Sequence, residues 1–146
     1  PMAGSGFTPG NKPSSGFQME YEDGSRVAQF ATKAYYVAEG ASGEPALFSR
    51  ELGVGAAGQE LVEGVEAMQV VYGLGGNYLT ADEISAQNWP EVTSVRIAFV
   101  VRSGDNANSE NITRTFNLVG TEATSPADRR ARIVSSTTIG LRNRMP

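Results

Sequence analysis

Glu60, Glu63 and Glu66 recur at every third position, and three carboxylates that close in sequence can hold a divalent cation or divide into a general acid and a general base. No partner group stands at a defined spacing from them, so the plainer reading is a solvated acidic face. Asp105-Asn106-Ala107-Asn108 has the oxygen-rich look of a calcium loop but lacks its glycine turn and its distal bidentate glutamate, and it reads as a polar hairpin tip. Ser135-Ser136-Thr137-Thr138 supplies hydroxyls for a nucleophile without a base at a defined spacing to activate one. Gly73-Leu74-Gly75-Gly76 matches no nucleotide fingerprint and reads as a turn. Trp89 with Tyr35, Tyr36 and Tyr72 could form a sugar-binding platform, with core packing as the ordinary alternative. The 146 residues include no histidine and no cysteine, which excludes imidazole bases, thiolate nucleophiles, Cys/His zinc cages and disulfides.

The remaining candidate is electrostatic. Before Arg129 the chain carries seven Lys/Arg against sixteen Asp/Glu, a balance of −9, while the last eighteen residues carry five arginines and no acid, which brings the total to −4. An acidic body argues against general nucleic-acid binding, and a basic end offers a local docking surface. Arg129, Arg130, Arg132, Arg142 and Arg144 are therefore the candidate partner-binding residues, with isolated solvated charges as the alternative.

The elements that would position these groups are mostly strands. Residues 1–16, rich in Gly, Pro and Ser, read as a linker, frayed terminus or cloning remnant, and residues 17–146 as one β-rich domain. Phe17, Met19 and Tyr21 alternate with polar residues; with Val27–Phe30, Ala34–Ala38 and Ala46–Leu52 they suggest a meander across the first third. Between Leu61 and Tyr72 the periodicity fits helix or strand, and Gly64 with the valines favours strand. Val92–Arg102 has the pattern of a central strand covered on both faces, with Ile112–Leu118 as its hairpin partner and Ile133–Leu141 as a last strand. Thr80-Ala81-Asp82-Glu83 fits a capping box opening a short helix that ends before Trp89, since Pro90 pushes Trp89 toward extended geometry. Ser125-Pro126-Ala127-Asp128 could open one further turn. No stretch approaches the ~20 apolar residues that a membrane-spanning helix needs.

Read as a string, residues 60–73, Glu-Leu-Val-Glu-Gly-Val-Glu-Ala-Met-Gln-Val-Val-Tyr-Gly, closely resemble the signature of the PilW family, minor pilins of type IV pili. The resemblance continues through Tyr78-Leu79-Thr80-Ala81, Trp89 and Val92–Ile97, resumes at Asp128–Arg132, and ends with Thr137–Arg144. Its structural signature residues are Gly64, Val65, Met68, Tyr72, Gly73, Trp89, Val95, Arg96 and Asn143. It implies an α+β, mostly β, pilin-like antiparallel sheet with short helices, lacking here the long N-terminal α-helix that would anchor the whole protein in the membrane. It further implies a non-catalytic subunit that primes pilus assembly and sits at the tip, with other minor pilins and a large tip adhesin as partners. The place of action would be the periplasmic face of the inner membrane, then the pilus tip of a Gram-negative cell. Many family members follow the Tyr-Gly pair with an aspartate-rich loop. Leu74, Gly75, Gly76 and Asn77 supply no carboxylate, so neither calcium nor any other cofactor is expected. A type II secretion pseudopilin of the J kind is the nearest alternative; a carbohydrate-binding domain is a more distant one. An enzyme would need converging carboxylates of raised pKa in a cleft.

Overall fold

The computed structural model describes residues 31–53 and 55–144, together with Asp23, Gly24 and Arg26. The expected linker over residues 1–16 and the expected strands at Phe17–Tyr21 and Val27–Phe30 lie outside the described residues.

The first sheet contains the two strands of the expected meander that fall among the described residues, near Ala34–Ala38 and Ala46–Leu52, and adds a third at Gln59–Glu63. β1 (Thr32–Glu39), β2 (Pro45–Leu52) and β3 (Gln59–Glu63) pair antiparallel in that order, with a register shift at Leu47/Phe48 where β3 fits Leu61 as an extra residue. That bulge changes the alternation by one, so Glu60 and Glu63 share a face despite their odd spacing.

Gly64 is where the chain leaves this sheet for the next. It has φ +86°, its N–H donates to the Pro45 carbonyl at 2.7 Å, and its own carbonyl accepts from the Arg102 N–H at 2.8 Å. A Cβ there would stand 2.9 Å from the Arg102 carbonyl oxygen. The ambiguous segment is thus strand, as the valines suggest, but divided by a corner that only glycine turns easily. Beyond it β4 (Val65–Leu74) enters a four-stranded antiparallel sheet with β5 (Asn77–Leu79), β6 (Ser94–Asn106) and β9 (Arg130–Gly140), in the order β5-β4-β6-β9. β6 is central, as its sequence predicts.

Its expected hairpin with Ile112–Leu118 does not form. β6 runs on to Asn106 and takes β9 as its neighbour, while β7 (Thr115–Leu118) pairs with β8 (Thr121–Thr124). Ile112 bridges Asp128 instead. The physical cause is burial: β7 and β8 form a short hairpin that lies on one face of the sheet, where Leu118, Phe116, Val119 and Ala123 close over Ala67, Ala98 and Val100. The other face of the sheet carries Met68, Val70 and Tyr72 from β4, Val95, Ile97, Phe99 and Val101 from β6, and Ile133 and Ile139 from β9. It is half-buried along β4 and β6 and exposed along β9.

Helical structure among the described residues is confined to three 3-10 turns, Ala81–Glu83, Trp89–Glu91 and Arg142–Arg144. The first matches the Thr80 signal: the Thr80 N–H and hydroxyl both donate to the Glu83 carboxylate, at 2.7 and 2.9 Å. It stops after one turn. Trp89 opens a second turn instead of running out extended, because Pro90 sits where the missing N–H costs nothing. The turn anticipated at Ser125–Asp128 is absent; the Ser125 hydroxyl instead accepts from the Arg114 N–H at 3.0 Å. No helix among the described residues is long and apolar enough to cross a membrane.

Candidate partner-binding surface

The structure divides the five candidate arginines into two groups of opposite character. Arg132 is interior: its side chain is 2% exposed and its guanidinium is held by two carboxylates at once. Nε and Nη2 donate to the two Glu66 oxygens at 2.6 and 2.8 Å, and Nη1 and Nη2 donate to the two Asp128 oxygens at 2.7 and 2.6 Å. Arg130 donates to Glu44 and to the Ser103 carbonyl, both at 3.0 Å. Arg102, which sequence reasoning passed over, joins them through Glu44 and through Glu66 at 3.3 Å. Three guanidiniums thus face three carboxylates, with the balance at zero.

This network ties the β1–β2 turn (Glu44) to β4 (Glu66), β6 (Arg102), and the entry to β9 (Asp128, Arg130, Arg132). The hydrogen bonds from Arg132 and the Arg130 N–H hold the Asp128 carboxyl far below the ordinary aspartate range, and the same carboxylates raise the Arg132 guanidinium further. Burial and the neighbouring Arg130 and Arg132 charges push Arg102 the other way. Asp82 is also lowered, chiefly by its hydrogen bond with Thr80. Downward displacement of Asp82 and Asp128 is what ionised structural carboxylates show, and the opposite of what a general acid requires.

The three clustered glutamates part ways. Glu60 accepts from the Ala41 N–H at 3.0 Å and Glu63 from the Ser42 hydroxyl at 2.6 Å, so both brace the β1–β2 turn. A Cβ at Gly40 would meet Glu60 Oε2 at 2.8 Å, so a larger residue there would make the Glu60 carboxylate shift. Glu66, past the Gly64 corner, belongs to the arginine network. Among the described residues no three His, Cys, Asp or Glu side chains are grouped so as to hold a metal ion. Nor does Asp105–Asn108 form a simple hairpin tip: Asp105 and Asn106 end β6, and Asn108 Nδ2 donates to the Arg130 carbonyl at 3.0 Å.

The second group of arginines faces outward. Arg129, Arg142 and Arg144 are exposed. Arg129 Nε donates to the Asn108 carbonyl at 2.9 Å and Arg144 Nη1 to the Trp89 carbonyl at 2.6 Å, and none of the three has a carboxylate partner among the described residues. Arg142, Asn143 and Arg144 form one wall of a cavity of about 440 Å³ whose other walls are Tyr72, Trp89, Val92, Val95 and Leu141. Trp89 meets Tyr72 edge-on with ring centroids 4.8 Å apart, whereas Tyr36 stacks on Phe48 in the first sheet. The four aromatics therefore do not make one platform.

Four signature residues, Tyr72, Trp89, Val95 and Asn143, meet at this cavity although up to 71 positions separate them in the chain. Arg96 lies on the opposite face of β6 from Val95, with its guanidinium 4.0 Å from the Tyr78 ring centroid and Nε donating to the Thr138 hydroxyl at 3.0 Å. Hydrogen bonding to Ser94, with Thr138 and the Arg96 charge adding to it, lowers the Tyr78 phenol. Gly64 and Val65 set the corner, Gly73 accepts from the Thr93 N–H at 3.0 Å, and Met68 sits on the apolar face.

One protein family, described as type IV pilus-assembly protein W, matches residues 34–143. That range takes in all of the described strands but the first two residues of β1, and every residue lining the cavity but Arg144. Neither a curated protein nor a solved structure matches the chain.

Proposed function

The chain belongs to the type IV pilus-assembly protein W family, and from that premise we propose that it is a minor pilin, a non-catalytic subunit that primes pilus assembly with other minor pilins and sits at the pilus tip. Membership itself implies a structural part in pilus assembly, contacts with other pilus components and a place in the cell envelope or pilus. The observation that carries the finer reading is the outward-facing group Arg129, Arg142 and Arg144. These cations lack carboxylate partners among the described residues on a body that is otherwise acidic, and two of them border the aromatic cavity built by signature residues. Unneutralised rim charges select partners and speed encounter, and a nearby apolar cavity can take the anchoring side chain.

The apolar sheet face of Met68, Val70, Tyr72, Val95, Ile97 and Phe99 supports the second half of this reading. It is the surface on which the long N-terminal helix implied by the resemblance would pack in the whole subunit; since Tyr72 and Val95 also line the cavity, that helix would cover Met68, Val70, Ile97 and Phe99 and leave the end of the face where Arg142 and Arg144 stand to meet neighbours. Anchoring would then be periplasmic and inner-membrane, through that helix alone, before the subunit moves to the tip.

Replacing Arg142 and Arg144 together by glutamate in the full-length subunit should reduce its co-purification with partner minor pilins by roughly tenfold or more. The same double variant should melt like the parent, since neither side chain belongs to the internal network. Undiminished co-purification would overturn the assignment of this surface.

A further inference from the structure

β9 is the outer strand of its sheet, and residues 133–140, Ile-Val-Ser-Ser-Thr-Thr-Ile-Gly, are exposed throughout with no charge, no proline and no register shift. Ile133 is 65% exposed and Ile139 50%. The other edges carry the usual protections: β5 has three residues, β7 and β8 four each, β3 bears Glu60 and Glu63, and β1 bears Lys33 and Glu39. Only β9 leaves a long, uncharged row of backbone groups available among the described residues.

Which groups face outward follows from the register. The Leu141 N–H donates to the Thr93 carbonyl at 2.8 Å and the Ala131 N–H to the Ser103 hydroxyl at 3.0 Å, so odd-numbered positions turn toward β6. By alternation, the N–H and C=O of Val134, Ser136, Thr138 and Gly140 point away from it.

We propose that β9 is a strand-addition site that takes an extended segment of another pilus subunit, running antiparallel, whose alternating β-branched residues are preceded by one or two carboxylates. Backbone pairing would supply affinity, Ile133 and Ile139 would meet apolar side chains on one face, and Val134 on the other. An antiparallel newcomer begins beside the end of β9, where Arg142 and Arg144 stand without carboxylate partners among the described residues, hence the leading acids. Charge also argues against a second copy of this chain. The residues leading into its β9 are Arg129, Arg130, Ala131 and Arg132, with no free acid to set beside Arg142 and Arg144, and Asp128 before them is already held by Arg132. The inference rests on the reading that the domain works through contacts with other pilus subunits.

The test uses the 146-residue chain and two peptides, acetyl-Asp-Glu-Val-Thr-Val-Ser-Val-Thr-Ile-amide and its counterpart beginning Lys-Lys. The acidic peptide should slow hydrogen exchange at the Val134, Ser136, Thr138 and Gly140 amides by about tenfold or more. It should also bind roughly tenfold more tightly than the lysine peptide at low salt, a margin that salt erodes. Trp89, the single tryptophan, lies beside Arg142–Arg144 and reports the same event by fluorescence. Ser136→Pro should abolish the protection while the domain stays folded, because the lost N–H points away from β6; Ser136→Lys should weaken it as a milder second variant. Absence of protection at millimolar acidic peptide would overturn the proposal. Equal binding of both peptides would do so too, as would a concentration-dependent dimer that protects these amides without peptide. If the peptides fail while the Arg142/Arg144 double variant still loses its partners, the strand-addition site alone is wrong.

Discussion

Replacing Arg132 by methionine removes the cation that two carboxylates share, and the structure sets how much that should cost. Four charge-assisted hydrogen bonds of 2.6 to 2.8 Å are lost from a side chain only 2% exposed. Breaking a buried ion pair from one side costs about 3–5 kcal/mol, most of it from the charge left behind. Here the abandoned carboxylates are not equally stranded. Asp128 is 28% exposed and can regain water, and Glu66 keeps Arg102 at 3.3 Å, so the lower end applies, about 3 kcal/mol. For a domain of this size that is a fall in Tm of roughly 10–12 °C. Lysine at the same position keeps the charge but cannot form two forks, and should recover only part of the loss. Because the site is enclosed, the penalty should hardly change between low and high salt. The assay is urea and thermal unfolding of parent, Arg132→Met and Arg132→Lys at two salt concentrations. A loss under about 1 kcal/mol for Arg132→Met, the range of an exposed pair, would refute the claim that this arginine holds the fold together.

Acid should unfold the domain through the same network. Asp128 has a folded pKa far below its unfolded value of about 3.9, so its contribution is complete above that pH and drains away as pH falls toward the folded value. Asp128→Asn should flatten the dependence of urea midpoint on pH below about 4, and an unchanged slope would count against it. Gly64→Ala should destabilise by ~2 kcal/mol or more by equilibrium unfolding, since it forces a side chain onto φ +86° with its Cβ 2.9 Å from a carbonyl oxygen. Val119, at φ +47° ahead of Gly120 at φ +102° in the β7–β8 turn, is a β-branched residue where such hairpin turns favour asparagine. Val119→Asn should therefore raise stability by ~0.5–1 kcal/mol in the same measurement, the relief of backbone strain exceeding the packing that the valine supplies against Leu118 and Ala98.

Much of the fold was legible because strands and turns are local. The pattern along Val92–Arg102 predicts a central strand covered on both faces, and β6 is an inner strand with one face under the β7–β8 hairpin and the other half-buried; the Thr80/Glu83 pair predicts a short helix, and a single 3-10 turn stands there. Pairing was another matter. Ile112–Leu118 reads as the natural hairpin partner of β6 by proximity, yet it turns onto the sheet face, where Leu118 is buried and Phe116 packs against Ala98 and Val100. Nor does any one-dimensional pattern reveal that Leu61 is a bulge residue, which is what brings Glu60 and Glu63 to one turn.

The amino-acid sequence by itself determined the class of answer: no imidazole or thiol chemistry, an antiparallel β domain, an acidic body with a basic end, and the signature of a pilus-assembly family. What the tertiary structure alone decided is which charges are paired inside and which face outward without a carboxylate among the described residues. Arg130 and Arg132 find Glu44 and Glu66 across separations of 86 and 66 residues, and Arg142 and Arg144 find no carboxylate at all among the described residues. A charge's role depends on its distance to other charges and to water. Those distances exist only once the strands have paired.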